Sequence, residues 1–211
     1  MPPMAILHRA TLTPTKPEVL ASWLPHQAWA PGDGELEVAG AFRFDDPDGQ
    51  VGLEVHLVRL GGVLLQVPFS YRGAPLDGGE PFLVTTMDHS ALGKRWVYDG
   101  LGDPVLVSIL AAASLTGAGQ SVAVVEDTGR RLVVPSAIRL GGGGWTGGPV
   151  AVDGLALVSD GPDGAVLRSD VLELRVARRP AAATAPPIGL TATVPGIAEP
   201  VVLAEVTRSP G

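Results

Sequence analysis

The sequence contains no cysteine, which excludes disulfides, thiolate metal sites and cysteine nucleophiles. Lysine is almost missing as well: Lys16 and Lys94 are the only two. A phosphoryl-transfer lobe needs a strand lysine on the phosphates, a helix carboxylate to pair it, and a catalytic aspartate with metal ligands beyond. The sequence spells no Walker loop and no His-Arg-Asp-type or Asp-Phe-Gly-type segment, so the chain is not expected to transfer phosphate by itself. Basic residues are scarce overall. Fifteen Lys+Arg against 22 Asp+Glu leave a formal net charge of -7, which argues against nucleic acid or an anionic membrane surface as the main partner. No apolar run approaches the roughly 18 residues of a membrane helix; the best candidate, Val105 to Leu115, belongs in a soluble core. The opening stretch is short and broken by His8 and Arg9, unlike a signal peptide. A cytoplasmic protein is expected.

What is abundant is turn chemistry, with 28 glycines and 20 prolines among 211 residues. At 45% hydrophobic residues the chain is too apolar to be disordered, and it is long enough for one large domain or two small ones. Two helices are predicted. Thr15-Lys16-Pro17-Glu18 spells a capping box with proline in the first turn. Val19, Leu20, Trp23 and Leu24 supply its stripe, and Pro25 ends it. Asp103-Pro104 opens a second helix, apolar on nearly every side, through Leu115, with Gly117 and Gly119 as its stop.

Most of the rest reads as strand. Leu36, Val38, Phe42 and Phe44 share one parity; Val51, Leu53, Val55 and Leu57 share another, with the turn Asp45-Asp46-Pro47-Asp48-Gly49 between them. Gly61-Gly62 spells a hairpin into Val63 to Phe69. Pro81 to Met87 and Lys94 to Tyr98 follow. Beyond the second helix, strands are predicted over 121–126, 131–140, 150–159, 166–177, 188–194 and 201–207. The fold class is therefore α+β and predominantly antiparallel β, with a boundary near 118: one unit over 1–118 and a β-rich unit over 119–211. Residues 178–187, rich in Pro and Ala, read equally as a linker or as a surface connection within one unit.

The densest polar stretch is 71–104. Its candidates are Arg72, His89, Arg95, Trp96, Tyr98, Asp99 and Asp103, residue types that bind sugars and anions through planar forks, stacking faces and acceptors. Two readings stay open: a ligand site or docking face, or arginines that pair structurally with Asp77, Asp99 or Asp103. Asp88-His89-Ser90 holds three triad residue types in a row, but successive residues point different ways on a regular backbone. His8, His26 and His56 have no partner at metal-ligand spacing. Gly142 to Gly147 fits Gly-x-Gly-x-x-Gly, yet a strand-like segment follows, so a hairpin connection carrying Trp145 is the better reading. The two Asp/Gly-rich segments at 45–49 and 160–164 lack calcium-loop spacing and read as turns.

Three stretches carry a family resemblance: Met4 to Pro17, Tyr71-Arg72-Gly73-Ala74-Pro75-Leu76, and His89-Ser90-Ala91-Leu92-Gly93-Lys94-Arg95-Trp96-Val97-Tyr98-Asp99-Gly100, continued by Asp103-Pro104. Over about residues 4–116 the chain resembles actinobacterial proteins bearing a maltokinase N-terminal cap domain. That resemblance implies a cystatin-like curved antiparallel sheet with a packed helix, standing ahead of the catalytic parts in the kinases and not itself catalytic. Because the sequence holds no catalytic lobe, it further implies a stand-alone cap with a β-rich extension. The leading expectation is a non-catalytic accessory module. It would dock on a protein partner (a sugar kinase or glucan-metabolising enzyme) or bind a small sugar, in α-glucan, trehalose or aminosugar metabolism, with no cofactor and no metal. One alternative is an orphan sugar-active enzyme using His89 with Asp88 or Asp99. Another is a purely structural β-rich interaction domain.

Overall fold

The structure, a computed structural model, describes residues 4–7, 10–117, 119–127, 130–134, 136–144, 152–186 and 188–209. The chain opens with β1 (Met4–Leu7) and β2 (Leu12–Thr13), then α1 (Lys16–Trp23). Five strands follow: β3 (Leu36–Asp45), β4 (Val51–Leu60), β5 (Val63–Arg72), β6 (Leu83–His89) and β7 (Gly93–Asp99). Helix α2 (Pro104–Thr116) leads to β8 (Val122–Asp127), β9 (Arg130–Val134) and β10 (Arg139–Gly143). The last five strands are β11 (Ala156–Gly161), β12 (Gly164–Arg168), β13 (Leu172–Val176), β14 (Gly189–Thr193) and β15 (Val201–Arg208).

Local signals decide the helix ends. Glu18 accepts the Thr15 amide at 2.7 Å while the Thr15 hydroxyl accepts the Glu18 amide, the full capping box. Pro25 turns the end of α1 into one turn of 3-10 helix over Leu24–His26. The Asp103 carboxylate caps α2 by accepting from the Val105 amide at 3.0 Å. Gly117, at φ 67°, takes the left-handed conformation that closes the helix. The predicted turn at 45–49 is held by Asp46, whose carboxylate accepts the amides of Asp48, Gln50 and Val51 at 3.1, 2.8 and 2.8 Å.

Six strands form an antiparallel sheet in the order β2-β6-β7-β5-β4-β3, curled like a half-barrel. Its register sorts side chains onto two faces. One face carries Val58, Leu60, Leu65, Val67, Phe69, Tyr71, Met87 and Val97. It packs on Val19, Leu20 and Leu24 of the α1 segment and on Trp29. The opposite face carries Phe42, Phe44, Leu53, Val55 and Leu57 and packs on α2. The other side of α2 meets a second six-stranded antiparallel sheet, β10-β14-β15-β13-β12-β11. A small third sheet joins β1 in parallel to β8, and β8 to β9.

The core thus runs unbroken across residue 118: Leu106, Leu110 and Ala113 of α2 share one apolar cluster with Leu53, Leu167, Leu190 and Leu203. The Pro/Ala tract also packs against both sides. Arg178 O accepts the Gln66 amide, and Ala181 O accepts the Val202 amide. Two expected strands are each broken in two. The stretch 131–140 divides into β9 and β10. The stretch 166–177 divides at Ser169, whose hydroxyl accepts the amides of Val171 and Leu172 and whose own amide donates to Leu172 O; the apolar spelling of Val171 hides that turn. Strand β11 starts at Ala156, later than expected. Trp145 and the end of the Gly142–Gly147 connection lie outside the described residues.

Candidate functional site

Where α1 leaves the half-barrel sheet uncovered, a cavity of about 630 Å³ opens. Its polar lining includes Lys16, Arg43, Asp45, Gln50, His89 and Arg95, with the Tyr71 ring among its walls. Each arrives by a simple rule. Arg43, Tyr71, His89 and Arg95 occupy strand positions of one parity, so cross-strand register brings them to one face. Lys16 is placed by the capped start of α1.

Beneath the cavity lies a buried ionic network. Lys16 Nζ donates to Glu54 Oε2, and sits over the Tyr71 ring at 5.4 Å from its centroid. His56 Nε2 is 3.2 Å from the Tyr71 hydroxyl and 3.7 Å from Glu54. Burial pushes the His56 ring down to about 4 against the pull of Glu54, so it is neutral at pH 7. Burial works to raise Glu54, but the charges of His56, Lys16 and Arg43 and the Lys16 hydrogen bond outweigh it and bring the carboxyl to about 2. With His56 neutral at pH 7, Lys16 and Arg43 are the lasting partners. Burial raises the Tyr71 phenol well above its ordinary value. Sequence spacing left His56 isolated; Glu54 stands two residues away on β4, but Tyr71 and Lys16 come from β5 and α1, which only register and packing reveal.

The seven residues singled out in 71–104 divide into separate groups. His89 and Arg95 line the cavity together. His89 Nδ1 accepts the amides of Ala91 and Leu92, both at 3.2 Å, and Arg95 Nη2 donates to Leu92 O at 3.0 Å. Arg72, Trp96 and Tyr98 take the opposite strand parity. Arg72 forms a two-pronged pair with Asp103, both contacts 2.7 Å, and holds that buried carboxylate below the usual range although burial acts to raise it. Tyr98 accepts the Leu76 amide at 2.8 Å. Trp96 is half-buried beneath Lys94, whose ammonium lies 5.2 Å from a ring centroid.

Asp99 turns to Arg178, a residue absent from the sequence-based candidates. The Arg178 guanidinium is fully buried. It donates to Asp99 at 2.5 Å and to Asp160 at 2.7 and 3.0 Å, and stacks 4.4 Å from the Trp29 ring centroid. The segment 160–164 is a turn, as expected, and also supplies this carboxylate.

Residues 23–103 match the family model of the maltokinase N-terminal cap domain. This part of the chain is similar to the maltokinase N-terminal cap family. The matched stretch spans the half-barrel strands β3 to β7, from Trp23 to the Asp103 cap. It includes the 71–76 and 89–100 stretches that resembled the family; the opening Met4 to Pro17 and α2 lie outside it. A search of curated proteins returned no match. No helix among the described residues is long and apolar enough to cross a membrane.

Proposed function

We propose that the chain is a non-catalytic accessory or regulatory relative of the maltokinase cap that binds a small sugar in the cavity beside α1. It serves a sugar kinase or glucan-metabolising enzyme of α-glucan, trehalose or aminosugar metabolism, in the cytoplasm. The observation that carries the reading is the convergence of His89 and Arg95 with Tyr71, Gln50 and Asp45 around one cavity. Its volume lies within the roughly 300–1,000 Å³ of small-molecule sites. Planar forks, an aromatic wall and amide and carboxylate acceptors are what a polyhydroxy ligand needs. The cap family supports the sugar context, and also a cystatin-like description of the curled sheet on α1. Trp96, beneath Lys94 on the other face, is the candidate anchor for a protein partner.

Calorimetric titration of the whole chain with maltose, trehalose and glucosamine tests the ligand. Measurable binding is expected for at least one, weakened tenfold or more by Arg95→Ala. Absence of binding by all three, and by the phosphorylated sugars below, defeats the reading. The catalytic alternative is less well supported: both Asp99 and its neighbourhood are taken up by Arg178, and Asp88 faces the side of β6 opposite to His89.

A further inference from the structure

Two arginines in the cavity have donors that the described residues leave unused. Arg43, half-buried, has no hydrogen-bond partner for its guanidinium among the described residues, although Glu54, Lys16, His56 and Tyr71 lie within its electrostatic reach. Arg95 commits one nitrogen to Leu92 O, and its buried Nε meets no acceptor.

The acids nearby are mostly spent. Asp46 accepts three amides of its own turn, and Glu54 holds Lys16. Asp45 and Gln50 remain to accept hydroxyl groups. A buried or half-buried guanidinium without an acceptor is costly, and a neutral sugar offers it only weak hydroxyl acceptors. A phosphate offers several charged oxygens in the geometry that an arginine fork matches.

We infer that the sugar taken by this cavity is a phosphate monoester, with Arg43 and Arg95 on the phosphate and Asp45 and Gln50 on the hydroxyls. The inference rests on the sugar-binding reading and narrows it to one ligand class. Binding involves no covalent step.

The test is calorimetry on the whole chain at low salt with glucose, glucose 6-phosphate, glucose 1-phosphate and inorganic phosphate. At least one phosphorylated glucose is expected to bind tenfold or more tightly than glucose, and more tightly than inorganic phosphate. That affinity should fall between about 50 and about 300 mM salt, as charge screening requires. Arg43→Gln and Arg95→Gln should each weaken the phosphosugar ten- to a hundredfold, a larger loss than either causes for glucose. Arg208→Gln, on the exposed end of β15, should change neither. Arg43→Lys keeps the charge and loses the fork; its intermediate loss is the check if Arg43→Gln does not fold. Equal affinity for glucose and both its phosphates overturns this inference and leaves the sugar site standing. Inorganic phosphate binding as tightly as the phosphosugars overturns it too. Failure of every phosphorylated and neutral sugar overturns both readings.

Discussion

At residue scale, Arg178 carries the largest consequence. It joins Asp99, at the end of β7, to Asp160, at the end of β11, over the ring of Trp29. Removing one partner of a buried pair strands the others without compensation. Arg178→Met is therefore expected to cost roughly 3–5 kcal/mol in urea unfolding. Adding Asp99→Asn to it should recover part of that loss, which is a double-mutant measurement. His56 governs acid sensitivity. Its ring titrates near 6.5 when unfolded and near 4 when folded, so the unfolded chain binds the proton first. Its contribution is whole above about pH 6.5 and drains away as pH falls towards 4. Glu54, lowered to about 2, is intact above its unfolded value and is lost only below it, as pH falls towards 2. Urea midpoints should thus decline from pH 6.5 to 4, and His56→Gln should flatten that decline. A wild-type midpoint constant over this range would contradict the placement of the ring. Little of this was visible in the sequence, where Glu54 beside His56 reads only as strand alternation and Arg178 opens a Pro/Ala tract.

At the scale of elements, the ends of both helices were legible because capping is local: three or four consecutive residues contain both donor and acceptor. Thr15→Ala should cost about 1 kcal/mol of stability, seen as a lower melting midpoint. Asp103 does more than cap. Its carboxylate serves the α2 amide and both prongs of Arg72. Asp103→Ala is expected to cost about 3 kcal/mol or more, well beyond a cap alone, and Asp103→Asn, which keeps an oxygen for the helix amide, should cost less. Equal losses would show that the cap adds nothing beyond the Arg72 pair. Strands were legible by alternation, and so was the parity that separates Arg95 from Trp96. What alternation could not say is which parity faces α1. Nor could it find the turn at Ser169, where polar residues interrupt the strand for only a few positions. The paired reading of 71–104 resolves residue by residue: Arg72 is committed to Asp103, while Arg95 keeps a donor for the cavity.

At the scale of the molecule, α2 is apolar around most of its circumference because it is covered on two sides, by the half-barrel sheet and by the C-terminal sheet. A chain cut after residue 118 would expose Leu110 and its neighbours and would lose Arg178 from Asp99. It is expected to aggregate or to lack cooperative unfolding, whereas the whole chain should melt in a single transition. Calorimetry checks both. Two separated transitions in the whole chain would mean that the shared core does not couple the two sheets. The cavity is also a product of this scale. It forms where α1, only eight residues long, stops short of covering a curled sheet.

Composition, caps and alternation were enough to establish an antiparallel β-rich chain with two helices, and the residue spelling over 71–104 was enough to suggest the cap family, because each of these signals sits within a few neighbouring residues. Register and layer order decided the rest. The grouping of Arg43, His89 and Arg95, the His56 network and the Arg178 junction join residues from different elements and loops, Asp99 and Arg178 lying 79 positions apart. Such pairings depend on which strands lie side by side and how the sheet curls, and no local pattern encodes them.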